Sequence, residues 1–146
     1  MNSRESIYAA LFSLVSGAAG FTTTSRRLQH IESVQPFQFP CLYQHQIVES
    51  WSQPVGNLPP IGILQVELWV YVYSADETVS HSVQLNPLVD ALVAALKLPP
   101  TPTQFGKQDL GGLIESVTLN GSISYAEGAL ADRGIAHIPL NIRLVG

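Results

Sequence analysis

Residues 63–73, ILQVELWVYVY, alternate without interruption. Leu64, Val66, Leu68, Val70 and Val72 form one face, aliphatic throughout. Gln65, Glu67, Trp69, Tyr71 and Tyr73 form the other, large and aromatic. An apolar face at period two marks a strand that lays one side on a core. The second side is the unusual one. A solvated strand face ordinarily carries Lys, Glu and Thr, and this one carries Trp and two Tyr.

Composition bears on what covers that second face. Charged residues are 12% of the 146, about half the usual share of roughly 25%. A surface short of charge suggests that some of it meets protein rather than water. The length suits a single α+β domain spanning 1–146. The net charge is -4, and no basic cluster exceeds the pair Arg26-Arg27. A groove that grips nucleic acid needs concentrated positive charge, so binding of that kind is not expected. The single cysteine, Cys41, excludes an intrachain disulfide, and within FPCLY it reads as a small buried hydrophobe.

The start of the chain predicts a helix from a Ser3 cap to about Ser16, with Glu5 in the first turn. Ile7, Tyr8, Leu11, Phe12 and Val15 make its buried stripe. The interruption by Arg4 and Glu5 argues for such a helix over a signal peptide. No stretch approaches a membrane span. Strands are expected near 22–29 and over 41–51, and Pro and Gly make 52–62 a loop. Asn86-Pro87 predicts a second helix with Asn86 as cap and Leu88, Val89, Leu92, Val93 and Leu96 facing the core. Pro99 and Pro100 stop it, and 99–112 is a second long loop. Segments 113–126 and 135–145 read as a hairpin turned by EGALADRG. Pro139 lacks a donor, which places the last strand at an edge or at a bulge. The expected fold is α+β: a mainly antiparallel sheet of four to five strands with two amphipathic helices packed on one face.

Chemistry is sparse. His30, His45, His81 and His137 are scattered, and no His-x-x-x-His or Cys-x-x-Cys offers a metal a starting pair. Gly106, Gly111 and Gly112 precede a strand, which is not the setting of a phosphate loop. Gly121 reads as a bulge or close approach within a strand. No nucleophile elbow occurs, and Glu115 and Glu127 are too far apart on one strand to act as a carboxylate pair. Glu67 is the most interesting carboxylate, as a solvated group or as a partner for Arg26, Arg27 or Arg143, of its own chain or a neighbour's.

In ordered segments spanning most of its length, the chain resembles the tail terminator (minor tail protein U-like, tail-completion) proteins of long-tailed bacteriophages. These segments are RESIYAALFSLV, FTTTSRRL, PCLYQHQ, LQVELWVYVYS, LNPLVDALVAAL and the closing LGGLIESVTLNGSISYAEGALADRGIAHIPLNIRL. The resemblance implies a homo-oligomeric ring, usually sixfold, seated on the last ring of tail tube protein. Such a ring ends tube growth and offers a surface to the head-completion (neck) proteins, while DNA passes through its lumen. It implies synthesis in the host cytoplasm, a place in the virion tail or neck, and neither catalysis nor a cofactor. A related neck or head-completion protein, or the tube subunit, would share this look. A small ligand-binding domain or enzyme is the reading from a different class, with Trp69, Tyr71 and Tyr73 as pocket wall and Glu67 as polar anchor.

Two covers for the aromatic row are available, a loop of the same chain, 52–62 or 99–112, or a neighbouring subunit, where Tyr, Trp and Arg are favoured; the row is expected to be buried, with at least part of that burial supplied by the neighbour. The candidate interface residues are Arg26, Arg27, Glu67, Trp69, Tyr71 and Tyr73. One of the two long loops, 52–62 or 99–112, is expected to order on assembly.

Overall fold

The computed structural model describes residues 2–99, 107–130 and 132–146. Among them lie two α-helices and six strands. In chain order they are α1 (Arg4–Ser16), β1 (Thr23–Ser25), β2 (Cys41–Ser52), β3 (Ile61–Tyr73), α2 (Ser82–Leu96), β4 (Ser116–Leu119), β5 (Ser124–Leu130) and β6 (Arg133–Val145). The sheet runs β1-β2-β3-β6-β4, with β5 also paired to β6. Every pairing is antiparallel except β1 with β2. This is the expected α+β class, with six strands in place of four or five.

The aliphatic face of β3 is buried under both helices. Leu64, Val66, Leu68, Val70 and Val72 share one core with Ile7, Leu11 and Val15 of α1 and Leu85, Val89, Leu92 and Leu96 of α2. Burial of each such side chain contributes about 1.5–3 kcal/mol of transfer free energy. Phe12 is only half-buried, and Leu88 is partly buried against this core's margin. Gln44 lies on the same side. It is buried, and its Nε2 donates to the Tyr8 carbonyl at 3.0 Å, tying β2 to α1.

Local signals set α1. Ser3 Oγ accepts from the Ser6 amide at 3.1 Å, a side-chain cap on the first turn. The start of α2 departs from expectation. Asn86 is not the cap: the helix begins at Ser82 and carries Pro87 inside it. A carboxylate from another element makes this possible. Glu127 of β5 accepts from the Ser82 amide at 2.5 Å and from Ser80 Oγ at 2.6 Å, satisfying the first turn from across the chain. At the other end Lys97 adopts φ 55, and the Leu98 amide bonds the Val93 carbonyl at 3.0 Å. That closes the helix before Pro99.

The strand expected over 22–29 is confined to Thr23–Ser25. It pairs parallel because residues 26–40 loop across the sheet before β2 returns. The strand expected over 113–126 breaks in two around Gly121, whose φ of 93 suits a residue without Cβ. Pro139 explains the break. β6 is not an edge, since β3 pairs along its whole length. The Pro139 carbonyl accepts from the Asn120 amide, so its donor-less nitrogen also points toward the gap between β4 and β5. β5 continues to Leu130, so the turn is tighter than EGALADRG; Ala131 within it lies outside the described residues, as do 100–106 of the loop 99–112.

Candidate functional site

The outer face of the sheet divides into a sealed half and an open half. Directly opposed residues share a face, so register builds it row by row. Tyr71 lies between Cys41 of β2 and Ile135 of β6, and Trp69 lies between Tyr43 and His137. Over the Tyr71 end fold residues 29–40, in two short 3-10 turns at Ile31–Ser33 and Pro36–Gln38. Ile31, Val34, Cys41, Tyr43 and Tyr71 form a second buried cluster, with Phe39 packed against it.

Polar atoms in this cluster are partnered. Tyr71 Oη donates to the Gln29 carbonyl at 2.9 Å, and Tyr43 Oη donates to Gln29 Oε1 at 3.3 Å. Burial, with the nearby Cys41 thiol adding to it, pushes the Tyr71 phenol up to about 12. Burial likewise raises Tyr43 and the Cys41 thiol. Tyr71 is 4% exposed, so its cover comes from its own chain. That cover is the segment 29–40, not the loop 52–62. Tyr73 is half-buried and pairs with Phe39, ring centroids 5.7 Å apart. Arg133 lies 5.7 Å from the same Phe39 ring and donates to the Val34 carbonyl at 3.1 Å.

The boundary between the halves is a cluster around Glu67. Its carboxylate accepts from Trp69 Nε1 at 3.1 Å. His137 Nε2 lies 3.1 Å away, and His45 Nδ1 lies 3.6 Å away. Trp69 stacks on His137 at 4.4 Å between centroids. Within its own chain Glu67 therefore faces two histidines and no arginine. Register decides this, because His45 is its direct cross-strand neighbour and His137 stands one row along β6. Arg143 stands two rows away, opposite Ile63. Arg26 is engaged elsewhere. It pairs with Glu5 at 2.5 and 3.1 Å, lowering the Glu5 carboxyl, and approaches the Tyr8 ring. Arg27 is exposed.

Beyond Glu67 nothing among the described residues covers the face. Ile61, Ile63, Gln65 and Asn141 are half-exposed, and Arg143 is exposed. Val48 and Val145 are 48% and 49% exposed. The β2–β3 hairpin then runs past the helices. Arg4 grips Glu49 through two bonds of 2.7 Å, and Trp51 Nε1 donates to the same carboxylate at 2.7 Å. The Arg4 guanidinium first, and the indole second, hold the Glu49 carboxyl down at about 2. The Trp51 ring lies over Gly62, where a Cβ would fall 2.7 Å from it, so any other residue there would push the indole aside. At the tip Val55 and Leu58 are 95% and 62% exposed.

Two depressions sit at the opposite end of β3. One, about 650 Å³, is lined by Asp76, Glu77, His81, Glu127 and Asp132. The other, about 340 Å³, is apolar and lies between residues 36–40 and the start of α2. Among the described residues no three His, Cys, Asp or Glu gather so as to hold a metal ion. No described helix is long and apolar enough to cross a membrane.

Sequence reasoning singled out Glu67, Trp69, Tyr71 and Tyr73, and β3 carries all four on one face. It missed His45, His137, Arg133 and the sealing segment 29–40. The available signal was weak: outward positions in neighbouring strands carry the two histidines, but their meeting at Glu67 needs the register of three strands.

No protein-family model matches the chain, and neither does any curated protein. Solved structures do match in fold. One is a chain from the virion of a native gene transfer agent (GTA) particle. It superposes with a TM-score of 0.53 at 10% sequence identity, covering 94% of this chain and 93% of that one.

Proposed function

We propose that the protein is a structural component of a phage-like virion: a tail terminator that closes into a ring, sixfold by its resemblance, on the end of the tail tube. In this reading the ring stops tube growth, meets the head-completion (neck) proteins on its other side, and lets DNA pass through its lumen. It performs no catalysis and holds no cofactor. The observation that carries the reading is the end-to-end correspondence of its fold with a chain of a gene transfer agent virion, 94% and 93% of the two lengths. The sequence resemblance to tail terminators narrows the station within the virion.

The surface supports the same role. A half-open sheet face with Trp69, Ile63 and Val48, and a projecting hairpin with Val55 and Leu58, leave apolar area that a lone subunit does not cover. Subunit contacts through Trp69, Glu67 and Tyr73, with Arg27 as a free basic group, belong to this proposal. Native mass measurement of the purified chain, with and without tail tube protein, tests it. Closed rings that cap tubes are the expected result. Tubes grown from this chain alone indicate a tube subunit instead. A monomer that leaves tube length unaltered overturns the terminator reading.

A further inference from the structure

The loop at the end of the β2–β3 hairpin, residues 53–60, carries Pro54, Val55, Leu58, Pro59 and Pro60 and no charge. Val55 and Leu58 stand in water, 95% and 62% exposed. At the far end of β3, Tyr73 lines the apolar groove with Pro36, Phe39, Pro40, Val83 and Pro87. Its volume of about 340 Å³ falls in the range of roughly 300–1,000 Å³ that holds compact ligands. The Phe39 and Tyr73 rings, 5.7 Å apart and tilted by 31°, give it an aromatic wall. Walls of that kind take proline-rich extended segments, whose conformation is set before binding. Val83, in the groove, is 65% exposed, and Phe37 on the adjacent 3-10 turn is 79% exposed.

Tip and groove belong to opposite ends of one strand. β3 has 13 residues, which at about 3.3 Å per residue separates its ends by roughly 40 Å. The tip therefore cannot reach the groove of its own chain. The ends also differ in charge. Asp76, Glu77, Glu127 and Asp132 stand beside the groove end with Arg133 alone opposing them. Beside the hairpin, Arg4 is paired with Glu49, and the exposed Arg143 stands opposite Ile63 of β3.

We infer that the 53–60 tip of one copy seats in the Phe39–Tyr73–Val83 groove of a second copy. The contact joins two different patches, so each subunit gives one tip and receives one. Such a head-to-tail contact closes into a ring when its rotation permits. The inference rests on the ring reading above and supplies its subunit contact.

Leu58→Asp and Val83→Asp test it. Both positions are exposed, and an acid in the first turn of α2 suits the helix dipole, so each variant keeps the wild-type circular dichroism and melting curve. Each alone self-associates about thirtyfold more weakly, the loss expected from one interface hot spot. Mixed together they form a 1:1 pair, because one retains an intact groove and the other an intact tip. Leu58→Cys mixed with Val83→Cys and oxidised by copper–phenanthroline in air, with oxygen as the two-electron acceptor, gives a disulfide-linked pair; the native Cys41 is buried and stays out of it. If wild-type rings persist in both Asp variants and no linked pair forms, the tip-in-groove contact is wrong while the ring stands. If the wild-type chain stays monomeric with and without tail tube protein, leaves tube length unaltered and forms no linked pair, both fall.

Discussion

The two halves of the outer sheet face begin from the same material and end differently. Both lie on β3, both follow the same alternation, and both carry large side chains. Around Tyr71 the face is closed by residues 29–40, and both phenols find partners at Gln29. Around Ile63 and Gln65 nothing of the described chain lies over the sheet, and Val48, Val145 and Arg143 face water. A period of two reports that a strand has a second face. It does not report what covers that face, because the cover comes from whatever segment the topology sends across it.

Substitution at Tyr71 tests the sealed half and should give the largest effect. Removing a buried aromatic side chain costs about 3–5 kcal/mol, so Tyr71→Ala should lower the denaturant midpoint sharply in the isolated chain. Tyr71→Phe keeps the ring and loses only the bond to the Gln29 carbonyl, worth about 1 kcal/mol. If Tyr71→Ala unfolds at the wild-type midpoint, the seal formed by 29–40 is not part of the stable fold. Trp69→Ala, at the boundary, comes next. Trp69 is half-exposed, and its loss should cost about 1–2 kcal/mol. Its larger consequence should be weakened assembly, read by native mass. A variant that loses stability but assembles normally would move the boundary of the sealed half outward to include Trp69.

Ile63→Thr, on the open half, completes the comparison. Surface substitutions of this kind change stability by about 0.5 kcal/mol or less, so its effect on the isolated chain should be slight. Should it destabilise as much as Tyr71→Ala, the open half is covered after all.

How much of this was legible depends on the range of the causes. The Ser3 cap, the aliphatic stripe Leu64–Val72 and its expected meeting with the helix stripes of Ile7, Leu11, Leu88 and Leu92 follow from local periodicity, though Leu88 sits only at the core's margin. The start of α2 did not, because the group that satisfies Ser82 is Glu127, on β5. Asn86-Pro87 imitates a helix start, and a distant carboxylate overrules it. Pro139 was expected to mark an edge or a bulge; instead β6 pairs with β3 in unbroken register, and Pro139 faces the break between β4 and β5. The segment 29–40 has no periodicity, so its role as a lid could not be read. His45 and His137 gather at Glu67 only once β2, β3 and β6 are in register.

The acid response separates the hairpin from the sealed half. Arg4, and then Trp51, hold the Glu49 carboxyl at about 2, down from 4.5. A carboxyl depressed on folding stabilises the native state above its unfolded value, and that contribution disappears as pH falls through the folded value. The difference in stability between wild type and Glu49→Gln should therefore be constant above about pH 5, shrink between 4.5 and about 2, and vanish below. The effect should be small because the pair is exposed and screened by solvent. Tyr71→Phe should show no such acid dependence, since the phenol stays neutral throughout that range. A Glu49→Gln difference that survives well below pH 2 would point to packing of Trp51 on Gly62, not charge, as what holds the hairpin.

The smallest effects on the isolated chain belong to the two adjacent arginines, and they distinguish a local role from a shared one. Arg26 is bound to Glu5 at the start of α1, and its exposed partner limits what the pair can add. Arg26→Ala should shift the melting temperature only within the error of the measurement and should leave assembly unchanged, because its guanidinium already has a carboxylate. Arg27 is exposed, and an arginine fork is well suited to a carboxylate on a neighbouring subunit. Arg27→Ala should likewise leave melting unchanged, but it should weaken assembly, and more so at low salt, where screening of an exposed charge pair is least. If Arg27→Ala assembles like wild type at every ionic strength while Arg26→Ala does not, the roles are reversed, and the Glu5 pair must open when subunits meet. If neither matters, the basic pair is solvated surface, and the subunit contact lies with Trp69, the open half of the sheet and the hairpin tip.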